Sequence, residues 1–224
     1  MKMFLSLCLL VLTDYIYSQN ENITNFSFDI ADARARAGKK IELIYDRIKG
    51  SPYYNEKPVS CSILFSDLKT RIVDLKYDLF QDEMEFFYNN KTLWLDKKSV
   101  RVIKFGEENI VVALPKEKNA KLEYFFLQDT GQYKLLVKKN VEYFPSVPPK
   151  PYGEPVPESF ERIEDKYYIK INDQQPQYFR SKKELLGILG NKPEITDFFN
   201  KEKIRIEEIS SLMKFIDFLN HIQN

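Results

Sequence analysis

The residues with the clearest potential for chemistry are three carboxylates in the segment DEME, residues 82–85. Asp82, Glu83 and Glu85 lie at the turn into a strand-like run, and Glu83 and Glu85 would share one face of that strand. Two acids held about 5–10 Å apart serve glycoside hydrolysis and need no histidine. The pattern is also typical of a solvated hairpin face, where nearby Lys and Arg tolerate like charges. We favour that structural interpretation and keep Glu83 and Glu85 as the only catalytic candidates.

Other catalytic and cofactor-binding chemistries lack the residues that they need. The one histidine, His221, lies near the C-terminus, where a Ser-His-Asp or Cys-His device is hard to build. Cys61 would be the one cysteine of the mature chain, so a zinc site has too few ligands. The sequence has neither a GxGxxG nor a GxxxxGK[ST] loop to hold a phosphate. We expect no cofactor and no metal, and we predict that Cys61, in VSCSILF, is a buried, inert thiol.

Aromatic side chains are the other resource for binding. The chain has 17 Phe, 14 Tyr and one Trp, many of them in adjacent pairs. On a strand, such a pair puts one ring on each face, and a ring left accessible suits sugar or peptide binding. From their loop or edge positions, the rings that we predict to bind a ligand are Tyr53, Tyr54, Trp94 and Tyr152.

The N-terminal residues 1–18 match a secretory signal. Lys2 precedes an apolar run from Met3 to Leu12, and the small residue Ser18 follows at a cleavage position. The run is too short to cross a hydrocarbon layer of roughly 30 Å as a helix, and no later run approaches the length needed. We therefore expect an exported protein, in the periplasm, the outer envelope or the medium, without a transmembrane helix in the mature chain.

The charge balance bears on the choice of partner. The chain has 34 basic and 33 acidic residues, interspersed along its length, and a formal net charge of +1. Such a surface has no broad field to attract nucleic acid. We expect no nucleic-acid partner.

Residues 19–144 are predicted to form an antiparallel β-meander. In VDLKYDL, residues 73–79, apolar and charged side chains alternate with the period of a half-buried strand. Similar runs, separated by short polar turns, cover 83–88, 92–95, 100–105, 109–114, 121–127 and 132–144. Many brief strands with brief turns indicate a meander that is closed as a small barrel or folded over as a sandwich.

Residues 158–224 change character. They begin with a β-hairpin, FERIEDKYYIKI and PQYF, and continue with three short amphipathic helices within SKKELLGILG, NKPEITDFF and EEISSLMKFIDFLNHI. We expect these elements to pack on the meander, which gives a mainly antiparallel α+β fold. The proline-rich connector, residues 145–157, is predicted to be a stiff strap rather than a hinge or a peptide bait.

Four segments resemble a known family in their order and spacing. They are GSPYYNE (50–56), VDLKYDLFQDEMEF (73–86), DKYYIKI (165–171) and the helical stretch 182–220. Together they resemble an uncharacterised family of secreted or envelope proteins from Bacteroidota. The resemblance implies a bacterial envelope or extracellular setting and supplies no catalytic residue.

Two functions remain open from the sequence. The first is an exported noncatalytic envelope protein that acts as an interaction or structural module, with another envelope protein or a surface polysaccharide as its partner. The alternative is a small-ligand or sugar-binding β-barrel, or a carboxylate-based hydrolase. A deep cavity lined by Glu83, Glu85 and aromatic rings would favour the alternative.

Overall fold

The alternating runs form the strands of one antiparallel sheet in the computed structural model, which describes residues 33–35, 45–106, 109–115, 121–129, 131–149 and 153–222. Within these residues there are eleven strands. They are β1 Ala33–Ala35, β2 Val59–Phe65, β3 Thr70–Asp78, β4 Glu83–Tyr88, β5 Lys91–Leu95, β6 Val100–Phe105, β7 Asn109–Pro115, β8 Leu122–Leu127, β9 Tyr133–Phe144, β10 Ser159–Ile171 and β11 Gln177–Phe179.

The sheet is open. Its strand order is β1-β5-β4-β3-β2-β6-β7-β8-β9-β10-β11, and every neighbouring pair is antiparallel. The predicted antiparallel meander, followed by a hairpin and three helices, is confirmed. The predicted alternative of a closed barrel is wrong, because no pairing among the described residues joins the two end strands, β1 and β11.

A change of partner along β3 positions the acidic turn. Residues 70–75 of β3 pair with β2, whereas residues 76–78 pair with β4. Beyond β3, the turn 79–82 reaches across to β8, where the Asp82 carboxylate accepts a hydrogen bond from the Tyr124 amide at 3.3 Å. The buried rings of Tyr77 on β3 and Tyr124 on β8 also meet edge to face, with their centroids 5.7 Å apart. Asp82 ends this turn with a φ of +55°, a left-handed conformation that Asp tolerates better than most residues.

Three helices follow the sheet, as predicted: α1 Lys182–Ile188, α2 Pro193–Lys201 and α3 Ile209–His221. Helix α1 begins where the Ser181 hydroxyl accepts a hydrogen bond from the Glu184 amide at 3.2 Å. It ends before Gly190, whose φ of +80° suits a residue without a Cβ. The local signals in SKKELLGILG therefore account for both ends of this helix.

The apolar stripes of the helices are core. They pack against β9, β10 and β11 in one cluster of buried side chains, which contains Tyr133, Leu135, Ile169, Phe179, Leu185, Leu186, Leu189, Ile195, Phe199, Ile204, Ile206, Leu212, Phe215, Ile216 and Leu219. The Asn220 side chain adds a polar link, because it accepts a hydrogen bond from the Tyr133 amide at 2.8 Å and donates one to the Tyr133 carbonyl at 3.0 Å. The helical stretch is thus joined to the sheet by apolar packing and by hydrogen bonds.

The described residues on both sides of the proline-rich segment continue the pairing of β9 with β10. Strands β9 and β10 pair from Phe144 and Ser159 onwards, and Val147 and Val156 exchange two further backbone hydrogen bonds at 2.9 and 3.1 Å. Proline has no N–H to donate, so these two valines supply the donors. Residues 150–152 lie outside the described residues, as does the predicted signal, residues 1–18.

Candidate functional site

The two acidic residues of β4 are buried, and Asp82 in the turn is partly buried. The side chains of Glu83 and Glu85 are only 3% and 5% exposed, because β4 lies between two strands and the turn folds against β8 and β9. The solvated-face interpretation of these carboxylates is therefore wrong. Buried carboxylates must be paired or hydrogen-bonded, so their partners decide what they do.

Asp82 is the centre of a charge network. Its Oδ1 accepts from the Lys138 ammonium at 2.5 Å and from the Tyr77 hydroxyl at 2.6 Å. Its Oδ2 accepts from the Lys97 ammonium at 3.0 Å and from the Tyr124 amide at 3.3 Å. Both lysines are buried, at 2% and 7% exposure. Since both carboxylate oxygens are engaged by two donors each, Asp82 has little capacity left for a substrate.

Further ion pairs extend this arrangement, which we call the Asp82 network. Lys97 also lies 3.5 Å from Glu83, and Lys138 lies 3.5 Å from Glu123. The exposed ammonium of Lys121 reaches Glu83 at 3.7 Å. Among the described residues, the network includes Asp82, Glu83, Glu123, Lys97, Lys121 and Lys138. Within this set, three carboxylates lie next to three ammonium groups of opposite charge.

The tyrosine that donates to Asp82 stays protonated. Burial raises the pKa of Tyr77 well above its usual value, and the nearby Asp82 carboxylate raises it further. A neutral hydroxyl is the form that can donate a hydrogen bond to a carboxylate. Tyr77 is therefore a fixed donor within the network rather than an acid or base that changes state near neutral pH.

Glu85 binds two of the predicted ligand-binding rings. Its carboxylate accepts a hydrogen bond from the Tyr53 hydroxyl and another from the Trp94 indole, both at 3.2 Å. Trp94 lies opposite Glu85 on β5, and Lys76 lies opposite it on β3 with its ammonium 3.6 Å from the centre of the Tyr53 ring. The structure thus brings Glu85, Tyr53 and Trp94 together, with both rings half-buried and their polar atoms directed to the carboxylate.

The other two predicted rings have different positions. Tyr54 is half-buried and packs against the rings of Phe105 and Phe126, with centroid distances of 5.8 and 4.9 Å. The Arg162 guanidinium lies on the same ring at 5.9 Å. Tyr54 therefore contributes to packing between the strands. Tyr152 lies outside the described residues.

One buried acid was missed by the sequence analysis. The alternation in VDLKYDL predicts that Asp78 faces solvent, but it is fully buried. It accepts from the Tyr45 hydroxyl at 3.0 Å and from the Gln81 amide at 2.8 Å. Burial and the Asp78 charge both raise the pKa of Tyr45. The residues before β2 cover this end of β3, which is a long-range contact that alternation alone does not predict.

An open pocket lies at a different place in the fold. It has a volume of about 280 Å³ and lies between β10, β11 and the loop from α2 to α3. Its lining residues are Glu164, Asp165, Tyr167, Tyr178, Phe179, Arg180, Ile206 and Glu207. The adjacent pair Tyr178 and Phe179 behaves as expected for a strand, with Tyr178 45% exposed and Phe179 buried.

A bulge in β10 shapes one side of this pocket. The pairing of β10 with β9 shifts register between Ile163 and Lys166, so that Glu164 and Asp165 are outside the regular ladder. The sequence shows no Gly or Pro at this point, and alternation predicts an uninterrupted strand. Such bulges redirect side chains, and here both acids line the pocket.

In the part of the chain that the structure describes, no group of three or more His, Cys, Asp and Glu side chains is placed to hold a metal ion. His221 is exposed and lies 3.3 Å from Asp217.

Among the described helices, none has both the length and the apolar composition that crossing a bilayer requires.

Comparison of the sequence and the fold with protein-family models, curated proteins and solved structures gave no match.

Cys61 is expected to react slowly with thiol reagents. Its side chain is buried, and burial raises the pKa of the thiol to about 11. Because the thiolate is the nucleophile, a pKa above the working pH keeps the reactive fraction small at pH 8. A variant that lacks residues 1–18, and so contains Cys61 as its one cysteine, should label slowly with a disulfide reagent when folded and rapidly in guanidinium chloride. Equally fast labelling in both states would contradict this burial.

Proposed function

We propose that the protein is an exported, noncatalytic component of a bacterial cell envelope and acts as an interaction or structural module. One observation supports the noncatalytic part of this proposal most strongly: the carboxylates best suited to catalysis have partners within the protein. Asp82 binds two buried lysines, and Glu85 binds Tyr53 and Trp94. Groups held this way stabilise a fold, whereas a catalytic acid must be able to reach a substrate.

The proposed location depends on the sequence. Residues 1–18 match a secretory signal, and four segments resemble an envelope family from Bacteroidota. In that setting the available partners are another envelope protein or a surface polysaccharide. The accessible pocket at β10 and β11 supports a binding role, because its lining combines aromatic residues with carboxylates.

A small-ligand or sugar-binding function is the second candidate. Tyr178 on the edge strand β11 favours it, since an exposed tyrosine ring can stack on a sugar. A carboxylate-based hydrolase has less support, because the lining of the pocket at β10 and β11 includes neither Glu83 nor Glu85.

Cross-linking in the native bacterium tests the proposed function. The full chain would carry a C-terminal tag, and the cells would be treated with a short amine-reactive cross-linker before fractionation. We expect the protein in the envelope fraction, with its N-terminus near Gln19 and in a defined species larger than one chain. Recovery in the cytosol with residues 1–18 intact, or as a single uncross-linked chain, would contradict the proposal.

A further inference from the structure

The floor and wall of the pocket at β10 and β11 suit the apolar part of a side chain. Phe179 and Ile206 are buried and form an apolar floor. The half-buried Tyr167 ring on β10 lies on the same face of the sheet as Phe179 and stacks with it at a centroid distance of 6.4 Å. The pairing of Tyr167 with Phe179 fixes both rings before any ligand arrives.

Among the described residues, two carboxylates at this pocket have no cationic partner. Asp165 pairs with Lys139 at 2.5 Å, and Arg180 pairs with Glu184 at 3.4 Å, so these charges are compensated locally. Within the described part of the chain, by contrast, Glu164 and Glu207 form no ion pair. Both are exposed, one on the bulge of β10 and the other on the loop before α3.

Tyr167 lies close to two of the acidic residues at this pocket, Asp165 and Glu207. The Tyr167 hydroxyl donates to the Glu207 carbonyl at 3.4 Å. Burial raises the pKa of Tyr167, and the charges of Asp165 and Glu207 raise it further. Three carboxylates and one guanidinium line the pocket, so its lining has a net negative charge, which favours a cation next to an aromatic face.

We infer that this pocket binds a lysine or arginine side chain presented by a partner envelope protein. The aliphatic part of such a side chain would lie on Phe179, Ile206 and Tyr167, and its cationic end would lie between Glu164 and Glu207. The inference rests on the proposed function, because it names the chemistry of the partner. Recognition requires no bond to be made or broken.

Size and charge favour a basic side chain over a polysaccharide. A volume of about 280 Å³ is at the lower limit of small-molecule sites, which span about 300–1,000 Å³, and a single side chain fits this limit better than an oligosaccharide. A neutral sugar would also leave both carboxylates without a counter-charge. A basic side chain has an aliphatic stem that can contact the apolar floor and a positive charge that can pair with the carboxylates at the rim.

Titration followed by two-dimensional amide NMR tests the inference on the purified full chain. The probes are three capped glycine pentapeptides with a central lysine, arginine or acetyllysine, together with the neutral sugar maltohexaose. We expect saturable shifts for the lysine and arginine peptides, centred on residues 164–167, 177–180 and 206–207. Salt at 0.5 M should weaken them, because the recognition is electrostatic.

Matched variants localise the effect. Replacing Glu164 and Glu207 together by glutamine should weaken binding of the lysine peptide at least tenfold. Replacing Glu142 and Glu154, which are exposed acids outside the pocket lining, changes the net charge equally and should leave binding unchanged. Well-dispersed spectra of all variants would show that each is folded.

Several outcomes would overturn the inference. They are shifts of equal size with acetyllysine, shifts with maltohexaose but not with the basic peptides, an equal loss in both glutamine pairs, or no saturable shift with any probe. A cross-linked envelope complex that persists when Glu164 and Glu207 are replaced would refute the pocket's role and leave the proposed function standing. A protein that is alone in its host would refute the proposed function itself.

Discussion

Replacement of Asp82 by asparagine is expected to lower the free energy of unfolding by about 3–5 kcal/mol. The change removes the carboxylate that the buried Lys97 and Lys138 share. The more distant Glu83 and Glu123 remain, but the network then has one positive charge in excess, and an uncompensated buried charge costs several kcal/mol. Asparagine has nearly the same shape and tolerates the left-handed φ at this position, so backbone strain contributes little. Urea unfolding followed by circular dichroism measures the loss.

Asp74 provides the control for this variant. It lies on β3 like the residues that lead into the turn, but its side chain is exposed. Asp74→Asn removes the same charge and should change stability by no more than about 0.5 kcal/mol. If Asp82→Asn cost less than about 1 kcal/mol, or the two variants lost equal stability, the network would not hold the turn.

The second large effect is expected in the helical core. Phe215→Ala should destabilise the protein by about 3–5 kcal/mol, because truncating a fully buried phenylalanine removes apolar contacts and leaves a cavity. Phe215 contacts the ring of Phe199 on α2 at a centroid distance of 5.0 Å and lies in the cluster that joins the helices to β9. The same denaturant titration, followed by both tyrosine fluorescence and circular dichroism, measures this loss.

Met213 lies two residues earlier on α3 and is 41% exposed, so Met213→Ala is the matched control and should cost less than about 1 kcal/mol. Because the helices and β9 share one core, both probes should report one transition for Phe215→Ala. Two separate transitions would mean that the helices are not part of the same cooperative unit. Equal losses in the two variants would contradict the burial of Phe215 in the core.

Local patterns predicted the elements well. The run EMEFFY is strand β4 with the bounds that its alternation indicates, and Ser181 begins helix α1 as the capping pattern predicts. These features depend on neighbours in the sequence, so they can be inferred from it. Whether the sheet closes depends instead on contacts between distant strands. No local pattern distinguishes a closed barrel from the open sheet that is present.

The candidate site was predicted less well, for the same reason. The hydrogen bond from Trp94 to Glu85 follows from the register of β4 with β5, and Tyr53 arrives from a loop before β2. The burial of Asp78 and Glu83 depends on how the turn folds over the sheet. Alternation assigns faces to a strand, but it does not tell which faces other segments cover.

The pocket depends on an irregularity that the sequence hardly marks. The bulge at Glu164 and Asp165 interrupts a run that otherwise alternates regularly, and Ile206 and Glu207 come from a loop about 40 residues later. The adjacent pair Tyr178 and Phe179 was the only available signal, since one of the two rings had to face outward. Which ring is exposed, and which acids surround it, required the three-dimensional structure.

Buried ion pairs seldom add stability over a well-packed apolar core, so the Asp82 network is better explained by specificity than by strength. It joins the turn after β3 to Lys97 before β6, to Tyr124 on β8 and to Lys138 on β9. One arrangement of the turn satisfies all of these partners at once. We propose that the network fixes how the β3–β4 end of the sheet lies on β8 and β9.

A double-mutant cycle between Asp82 and Lys138 tests most directly whether these carboxylates serve the fold and not a reaction. Asp82→Asn and Lys138→Met should each lower the free energy of unfolding by about 3 kcal/mol or more. The double variant should lose less than their sum by at least about 2 kcal/mol, because the two groups share one interaction. Additive losses would contradict this account, because they would mean that Asp82 and Lys138 do not interact. Single variants that are more stable than the parent protein would also contradict it and would point to a functional role, since active-site groups are commonly retained at a cost in stability.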